Sequence, residues 1–240
     1  MSALFLIGVV RFFTVPPKAK KEAEEIEIML RKNQEEAEKK RQQASIEAAN
    51  RKLEERAQAQ PVGKYSQYND ASEMHIVGIG DSVMLAAIDQ LYQKFPNGYF
   101  DAVFGRTIYE GKAVVYQLEE SNQLGDAVVY SLGTNSYIEE ADVEELIQHS
   151  GGRPTFWLTT FGVSNDSNEK MQAVVERHNN AYMIDWETFA TANMSTFILP
   201  DGLHTNEVGS VAYAEYICGI INRNLFRKPV KENHPIILEQ

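Results

Sequence analysis

The sequence predicts an α/β fold in which a parallel sheet is covered by helices on both faces, as in flavodoxin-like proteins. Five short, almost continuously apolar runs have the length and composition of buried strands. Each run is followed by a segment with the apolar spacing of a helix. The strands are predicted at 74–80, 99–104, 126–133, 154–160 and 181–186, and the helices at 82–94, 108–121, 139–149, 166–179 and 206–226.

The composition is that of an ordinary globular protein: of 240 residues, 43% are hydrophobic and 24% are charged. A formal net charge of -11 argues against a nucleic-acid partner, because such a partner requires a basic patch. Cys218 is the one cysteine in the sequence, which excludes an intrachain disulfide and a cysteine-rich zinc site. Cys218 is predicted to be a buried helix residue, and no metal or cofactor is expected.

Residues 1–17 form an apolar segment, "ALFLIGVV" followed by Arg11 and "FFTV". It offers about a dozen apolar positions, whereas a full membrane span needs about 20. It also lacks the basic start and the cleavage site of a signal peptide. The interpretations that stay open are a short anchor or apolar residues packed on a neighbour, and the last turns of a membrane helix that leaves the bilayer at Pro16 and Pro17.

Residues 18–60 contain no Gly or Pro and are rich in strong helix formers, which predicts a long charged helix. Its apolar residues are too sparse for a clean heptad. A solvated single helix that acts as a spacer is therefore favoured over a dimerising rod. A linker at 61–73, a domain at 74–228 and a C-terminal tail at 229–240 complete the predicted organisation.

Four polar clusters fall where the predicted strands end or where the last helix begins. Right-handed crossovers bring the carboxyl ends of parallel strands to one edge, where open α/β sheets bind their ligands. The clusters are Asp81-Ser82, Gly105-Arg106-Thr107, Gly133-Thr134-Asn135-Ser136 and 200–209.

These clusters contain the groups that acyl transfer requires. Ser82 is a candidate nucleophile, which needs a base to accept its proton. His204 is the candidate base, and Asp201, three residues earlier, can orient its ring. The backbone amides of Ser82 and Gly105 and the side chain of Asn135 are candidate oxyanion donors. Taken singly, each has a structural alternative: Ser82 as a helix cap, Asp201 as a cap, His204 as a packed side chain and Asn135 as an Asx turn.

The motifs "GDSVML", "GR", "LGTN" and "DGLH" resemble the four sequence blocks of SGNH (GDSL-like) hydrolases over residues 74–226. With "DAVFGRT", "VVYSLGTNS" and "MIDW", the chain is similar to the extracellular catalytic domain of OatA-type peptidoglycan O-acetyltransferases. The resemblance implies an SGNH hydrolase fold. It also implies Ser82 as nucleophile, His204 as base and Asp201 as its orienting acid, with Asn135, the Ser82 amide and Gly105 as oxyanion donors.

The same resemblance implies O-acetylation of a cell-wall glycan, the muramic acid of peptidoglycan, from an acetyl donor through an acetyl-serine intermediate. It implies membrane anchoring at the extracellular face of a bacterial cell membrane, with a membrane acyltransferase-3 bundle as partner in the same or a separate chain. Two alternatives stay open at this point. One is an SGNH carbohydrate or lipid esterase, and the other is a non-catalytic cell-wall spacer or binding protein.

Overall fold

The computed structural model describes residue 21, residues 24–41 and residues 65–226. The apolar segment at 1–17, residues 61–64 of the linker and the C-terminal tail at 229–240 lie outside these residues, as does the second part of the predicted charged helix. No helix within the described part of the chain combines the length and apolarity that crossing a membrane requires.

The described residues form a five-stranded sheet in which every pair of neighbouring strands is parallel. The strand order is β2-β1-β3-β4-β5, so the chain reverses its direction of travel across the sheet after β2. That reversal places the topological switch point between β1 and β3, where open sheets of this kind hold their ligands. The strands are β1 (Ile76–Gly80), β2 (Tyr99–Ala102), β3 (Ala127–Ser131), β4 (Thr155–Leu158) and β5 (Ala181–Ile184).

Helices flank the sheet on both sides and bury two separate apolar layers, one built on Phe100 and Phe156 and the other on Tyr130 and Trp157. The predicted parallel α/β fold is therefore confirmed. The helices are α1 (24–41), α2 (Ser82–Ala86), α3 (Ile88–Lys94), α4 (Ile108–Glu120), α5 (Glu140–His149), α6 (Ser167–Val175), α7 (Trp186–Ala192), α8 (Met194–Phe197) and α9 (Glu207–Leu225).

Two features of the helices differ from the sequence prediction. The helix predicted at 82–94 is broken at Ala87, whose φ of -101° and ψ of 12° lie outside the helical range. The segment "VMLAAIDQL" contains no Gly or Pro that would signal a break, so packing rather than local propensity decides it. The short helices α7 and α8 were not predicted. The buried Cys218 lies in α9, as expected.

Helix α1 is helical as predicted, but the expectation that it is a solvated spacer is wrong for the described residues. Leu30 is 2% exposed and Ala37 is 0% exposed, whereas Ile28 on the opposite side is 68% exposed. Partly buried residues at 26, 29, 33, 34, 40 and 41 complete a stripe with helical spacing. The inward face of α1 is thus packed on the domain.

Polar contacts fix where α1 sits. Asn33 Nδ2 donates to the carbonyl oxygens of Leu85 and Ala86, each at 3.4 Å, at the end of α2. Those carbonyls lose their helical partners at the break, so a side chain from α1 helps to satisfy them. Lys40 forms an ion pair with Asp89 of α3. Helix α1 therefore contacts the short helix that begins with Ser82.

Candidate active site

Ser82 is the first residue of α2 and lies directly beyond the carboxyl end of β1. Its neighbour Asp81 is the N-cap: the Asp81 side chain accepts a hydrogen bond from the Val83 amide at 2.9 Å. This leaves the Ser82 hydroxyl free of the capping role that the sequence had left open for it. Ser82 is 4% exposed, so its hydroxyl is held within the wall of the site.

His204 lies between Ser82 and Asp201. Its Nε2 is 2.9 Å from Ser82 Oγ, and its Nδ1 is 2.6 Å from Asp201 Oδ2. Because an ionised carboxylate only accepts hydrogen bonds, Nδ1 is the protonated nitrogen and donates to Asp201. Nε2 is then the acceptor of the Ser82 hydroxyl proton. This is the geometry that a serine nucleophile and its base require.

The loop that carries Asp201 and His204 is held at both ends. Ile198 and Thr205 form an antiparallel bridge, and the Leu199 amide donates to the His204 carbonyl at 2.8 Å. Asn206 then caps α9 by accepting from the Gly209 amide at 2.9 Å. The imidazole therefore projects from a closed turn anchored on the longest described helix of the domain.

Asp201 is fixed by three hydrogen bonds and is the more acidic for it. Oδ1 accepts from the amides of Leu203 at 3.0 Å and His204 at 3.1 Å, while Oδ2 accepts from the His204 ring. Burial works against ionisation of this carboxyl group, but the hydrogen bonds outweigh it and lower the Asp201 pKa. The carboxylate stays charged and can stabilise the imidazolium that forms when His204 accepts a proton.

The candidate oxyanion donors lie on the three segments that follow β1, β2 and β3, at the same edge of the sheet. Ser82 is at the first position of a helix, where the amide has no acceptor within the helix. Asn135 follows β3, and its Nδ2 donates one hydrogen bond to the Arg106 carbonyl at 3.2 Å. Its second N–H is not required by that bond. Gly105 is exposed, and its φ of 74° fits a tight turn between Val103 and Arg106.

A small pocket lies at the carboxyl ends of β3 and β4 and reaches Val83, the residue after Ser82. Its empty volume, part of which is open to solvent, is about 220 Å³. Trp186 lies in its wall, 1% exposed, and its indole Nε1 has no hydrogen-bond partner among the residues described. Within 24–41 and 65–226, no group of three His, Cys, Asp or Glu side chains is placed to hold a metal ion.

The sequence interpretation missed three residues of this region. Asp81 was grouped with Ser82, but its capping role was not assigned, although an aspartate just before a helix is the usual signal. The burial of Arg106 and the place of Trp186 in the pocket wall gave no sequence signal, since both depend on which loops meet in space.

No family model matches the chain. Among curated proteins, the chain is 32% identical to YrhL of Bacillus subtilis over 133 residues, which is 54% of this chain and 21% of YrhL. It is 28% identical to the O-acetyltransferase OatA of Staphylococcus aureus over 144 residues, 58% of this chain and 24% of OatA. The peptidoglycan O-acetyltransferase OatA of Listeria monocytogenes is 26% identical over 150 residues, 61% of this chain and 24% of that protein. The chain thus spans less than a quarter of the length of these relatives.

Two solved structures share the fold. The C-terminal catalytic domain of Streptococcus pneumoniae peptidoglycan O-acetyltransferase A superposes with a TM-score of 0.55 and 17% identity, covering 63% of this chain and 94% of that domain. A family 3 carbohydrate esterase of Clostridium thermocellum superposes with a TM-score of 0.53 and 15% identity, covering 64% of this chain and 98% of the esterase. At these identities the superpositions establish the fold. The predicted resemblance is confirmed: the chain is a homologue of OatA-type peptidoglycan O-acetyltransferases, and its domain has the SGNH hydrolase fold.

Proposed function

We propose that this domain transfers an acetyl group from a donor to a hydroxyl group of a cell-wall glycan, the muramic acid of peptidoglycan, through an acetyl-serine intermediate. The observation that carries the proposal is the hydrogen-bonded series from Asp201 through His204 to Ser82, with distances of 2.6 and 2.9 Å. Homology to OatA-type proteins supports acetyl as the transferred group and peptidoglycan as the acceptor.

In the first half of the reaction, Ser82 Oγ attacks the carbonyl carbon of the acetyl donor while His204 Nε2 accepts the hydroxyl proton. The negative charge that develops on the carbonyl oxygen is stabilised by the Asn135 side chain and the Ser82 amide, with Gly105 as a third candidate. The bond between the acetyl carbon and the donor then breaks. His204 returns the proton to the leaving group, and Ser82 is left acetylated.

In the second half, the acceptor hydroxyl attacks the acetyl-serine carbonyl, and His204 Nε2 takes the proton of that hydroxyl. The same oxyanion donors act again. The ester bond to Ser82 breaks, the proton returns to Ser82 Oγ, and the acetylated acceptor leaves. Asp201 keeps the His204 ring in the required tautomer through both halves and stabilises its charged form.

The proposal includes a place and a partner for the domain. The acetyl donor would be supplied at the extracellular face of a bacterial membrane by a membrane acyltransferase-3 bundle, in the same or a separate chain. The chain would be held there by membrane anchoring on the N-terminal side of the domain. The matched region is 24% of each of the two OatA relatives, so most of the length of these relatives lies outside it.

Hydrolysis is the second candidate function, and one observation favours it. Asn135 is exposed, so water can approach the oxyanion donors. If water attacks the acetyl-serine in place of a sugar hydroxyl, the same residues make the protein an esterase. A transferase and an esterase therefore differ in how well the acceptor competes with water, while Ser82, His204 and Asp201 act in the same way in both.

The test is incubation with an acetyl-ester donor, with and without a muropeptide acceptor, followed by mass analysis of the protein and the glycan. We expect an acetyl adduct on Ser82, a glycan heavier by one acetyl group, and free acetate that decreases when acceptor is added. Acetate release unaffected by the acceptor would favour the esterase.

A matched pair of variants separates chemistry from folding. Ser82→Ala should abolish both the adduct and turnover. Ser150→Ala should keep them, because Ser150 is also buried but its hydroxyl bonds to Tyr130 and Leu146 rather than to His204. Normal turnover in Ser82→Ala would remove the proposed mechanism. A wild-type protein without adduct or turnover would favour the non-catalytic spacer or binding role.

A further inference from the structure

Arg106 is a buried arginine whose guanidinium group joins two strands beside the candidate active site. It is 7% exposed. Nη1 donates to the carbonyl oxygen of Gly80 at 3.2 Å and to that of Asp101, and Nη2 donates to Asp101 Oδ1. Gly80 ends β1, directly before Asp81 and Ser82, and Asp101 belongs to β2. A buried charge requires such partners, and here they fix the spacing of the two strand ends.

The main chain of Arg106 makes a second connection. Its carbonyl oxygen accepts a hydrogen bond from Asn135 Nδ2 at 3.2 Å. That bond uses one of the two N–H groups of the Asn135 amide and so sets the direction of the other. The side chain of Arg106 is thus anchored on the strand that delivers Ser82, while its carbonyl orients the side chain of Asn135.

We propose that Arg106 is a positioning residue that sets the geometry of the oxyanion hole, by fixing the Asn135 amide relative to the nucleophile at the end of β1. The inference rests on the proposed acyl-transfer function and assigns a role to a residue that does not itself touch the substrate. Asn135 is an exposed loop residue, and without an anchored acceptor its side-chain amide would sample several orientations. A preorganised donor avoids that reorganisation in the transition state.

The anchor of Arg106 is itself held by α1. Arg41 Nη1 donates to Asp101 Oδ1 at 3.2 Å and to the Ala102 carbonyl at 3.2 Å. Asp101 therefore accepts from two guanidinium groups, one from α1 and one from the loop after β2. A continuous series of hydrogen bonds therefore runs from Asn135 through Arg106 and Asp101 to Arg41 in α1.

The critical variant is Arg106→Lys, because lysine keeps the positive charge but lacks the planar fork that bonds Gly80 and Asp101 together. We expect kcat for a soluble acetyl ester to decrease roughly ten- to a hundredfold with KM nearly unchanged, since an oxyanion hole acts mainly in the transition state. Asp101→Asn, which keeps the shape of the anchor and removes its charge, should lower kcat in the same sense and by less.

The experiment is a double-mutant cycle of Arg106→Lys with Asn135→Ala, measured by steady-state kinetics. If Arg106 acts through Asn135, Arg106→Lys should cost less than about threefold once Asn135 is replaced. Arg153→Lys is the matched control: Arg153 also bonds backbone carbonyls, those of Gly125 and Ser150, but at the opposite end of the sheet. It should leave kcat unchanged whatever it does to thermal stability.

Three results would overturn the inference. The first is a cycle in which the effects of the two substitutions on kcat multiply, because Arg106 would then act independently of Asn135. The second is an increase in KM on Arg106→Lys with kcat unchanged. The third is that Arg106→Lys fails to fold and Asp101→Asn, folded, has normal kcat. A wild-type protein that turns over no acetyl ester would overturn the proposed function as well, which separates the two failures.

Discussion

Replacement of Leu30 by alanine tests whether α1 is part of the folded domain. Leu30 is 2% exposed on the inward face of α1, and truncation of a buried leucine to alanine costs about 2–5 kcal/mol. Because α1 lies at the periphery, where neighbouring side chains can relax, we expect the lower part of that range, about 2–3 kcal/mol. Ile28→Ala is the control on the same helix: Ile28 is 68% exposed, so its replacement should change stability by less than about 0.5 kcal/mol.

The assay is native-state hydrogen exchange of the α1 amides. Since 1.4 kcal/mol corresponds to a factor of ten, Leu30→Ala should accelerate exchange over residues 24–41 by roughly 30- to 140-fold. Ile28→Ala should leave exchange close to that of the wild type. Equal exchange in the two variants would refute the packing argument and restore the solvated spacer that the sequence predicts.

Three further predictions follow from the site and its supports. Asn135→Ala should lower kcat roughly a hundredfold with little change in KM, because the amide acts on charge that develops in the transition state. An increase in KM with unchanged kcat in steady-state kinetics would contradict this. Burial raises the pKa of Asp81 to about 6, so the folded state holds this proton to higher pH than the unfolded chain. The stability that results is present below about pH 4 and is lost as pH rises through about 6, on the order of 2–3 kcal/mol. Asp81→Asn should lack that loss in urea denaturation from pH 4 to 7, and parallel profiles for the two proteins would oppose this reasoning. A Cβ at Gly209 would lie 2.1 Å from the Phe197 carbonyl oxygen, so Gly209→Ala should lower the melting temperature. Gly219→Ala in the same helix, with nothing within 4 Å, should raise it by removing a helix glycine; a shift of both in the same direction would argue against the close contact.

Much of the fold could be predicted because the relevant signals are local. Near-continuous apolar runs specify strands buried on both faces. The rule of right-handed crossovers then places the carboxyl end of every strand at one edge of the sheet. The spacing of Asp201 and His204 likewise limits both to one turn. What could not be predicted is the break at Ala87, because a run of good helix formers carries no local signal for it.

The candidate site divides in the same way. The residue types of Ser82, His204 and Asp201 indicate their chemistry, since few side chains can act as nucleophile, base and orienting acid. The capping role of Asp81 and the anchoring role of Arg106 depend on contacts between segments that are distant in the sequence. No periodicity or spacing rule encodes such contacts.

The sequence by itself determined the parallel α/β class, the edge of the sheet that holds the polar clusters and the side chains available for chemistry there. Only the tertiary structure decided that α1 is packed on the domain. The inward stripe of α1 holds few large apolar residues and several polar ones. This pattern predicts a solvated helix when α1 is considered alone. It becomes a packing face because Asn33, Lys40 and Arg41 meet acceptors on α2, α3 and β2. Burial depends on the surface that a helix meets, and that surface exists only once the rest of the chain has folded.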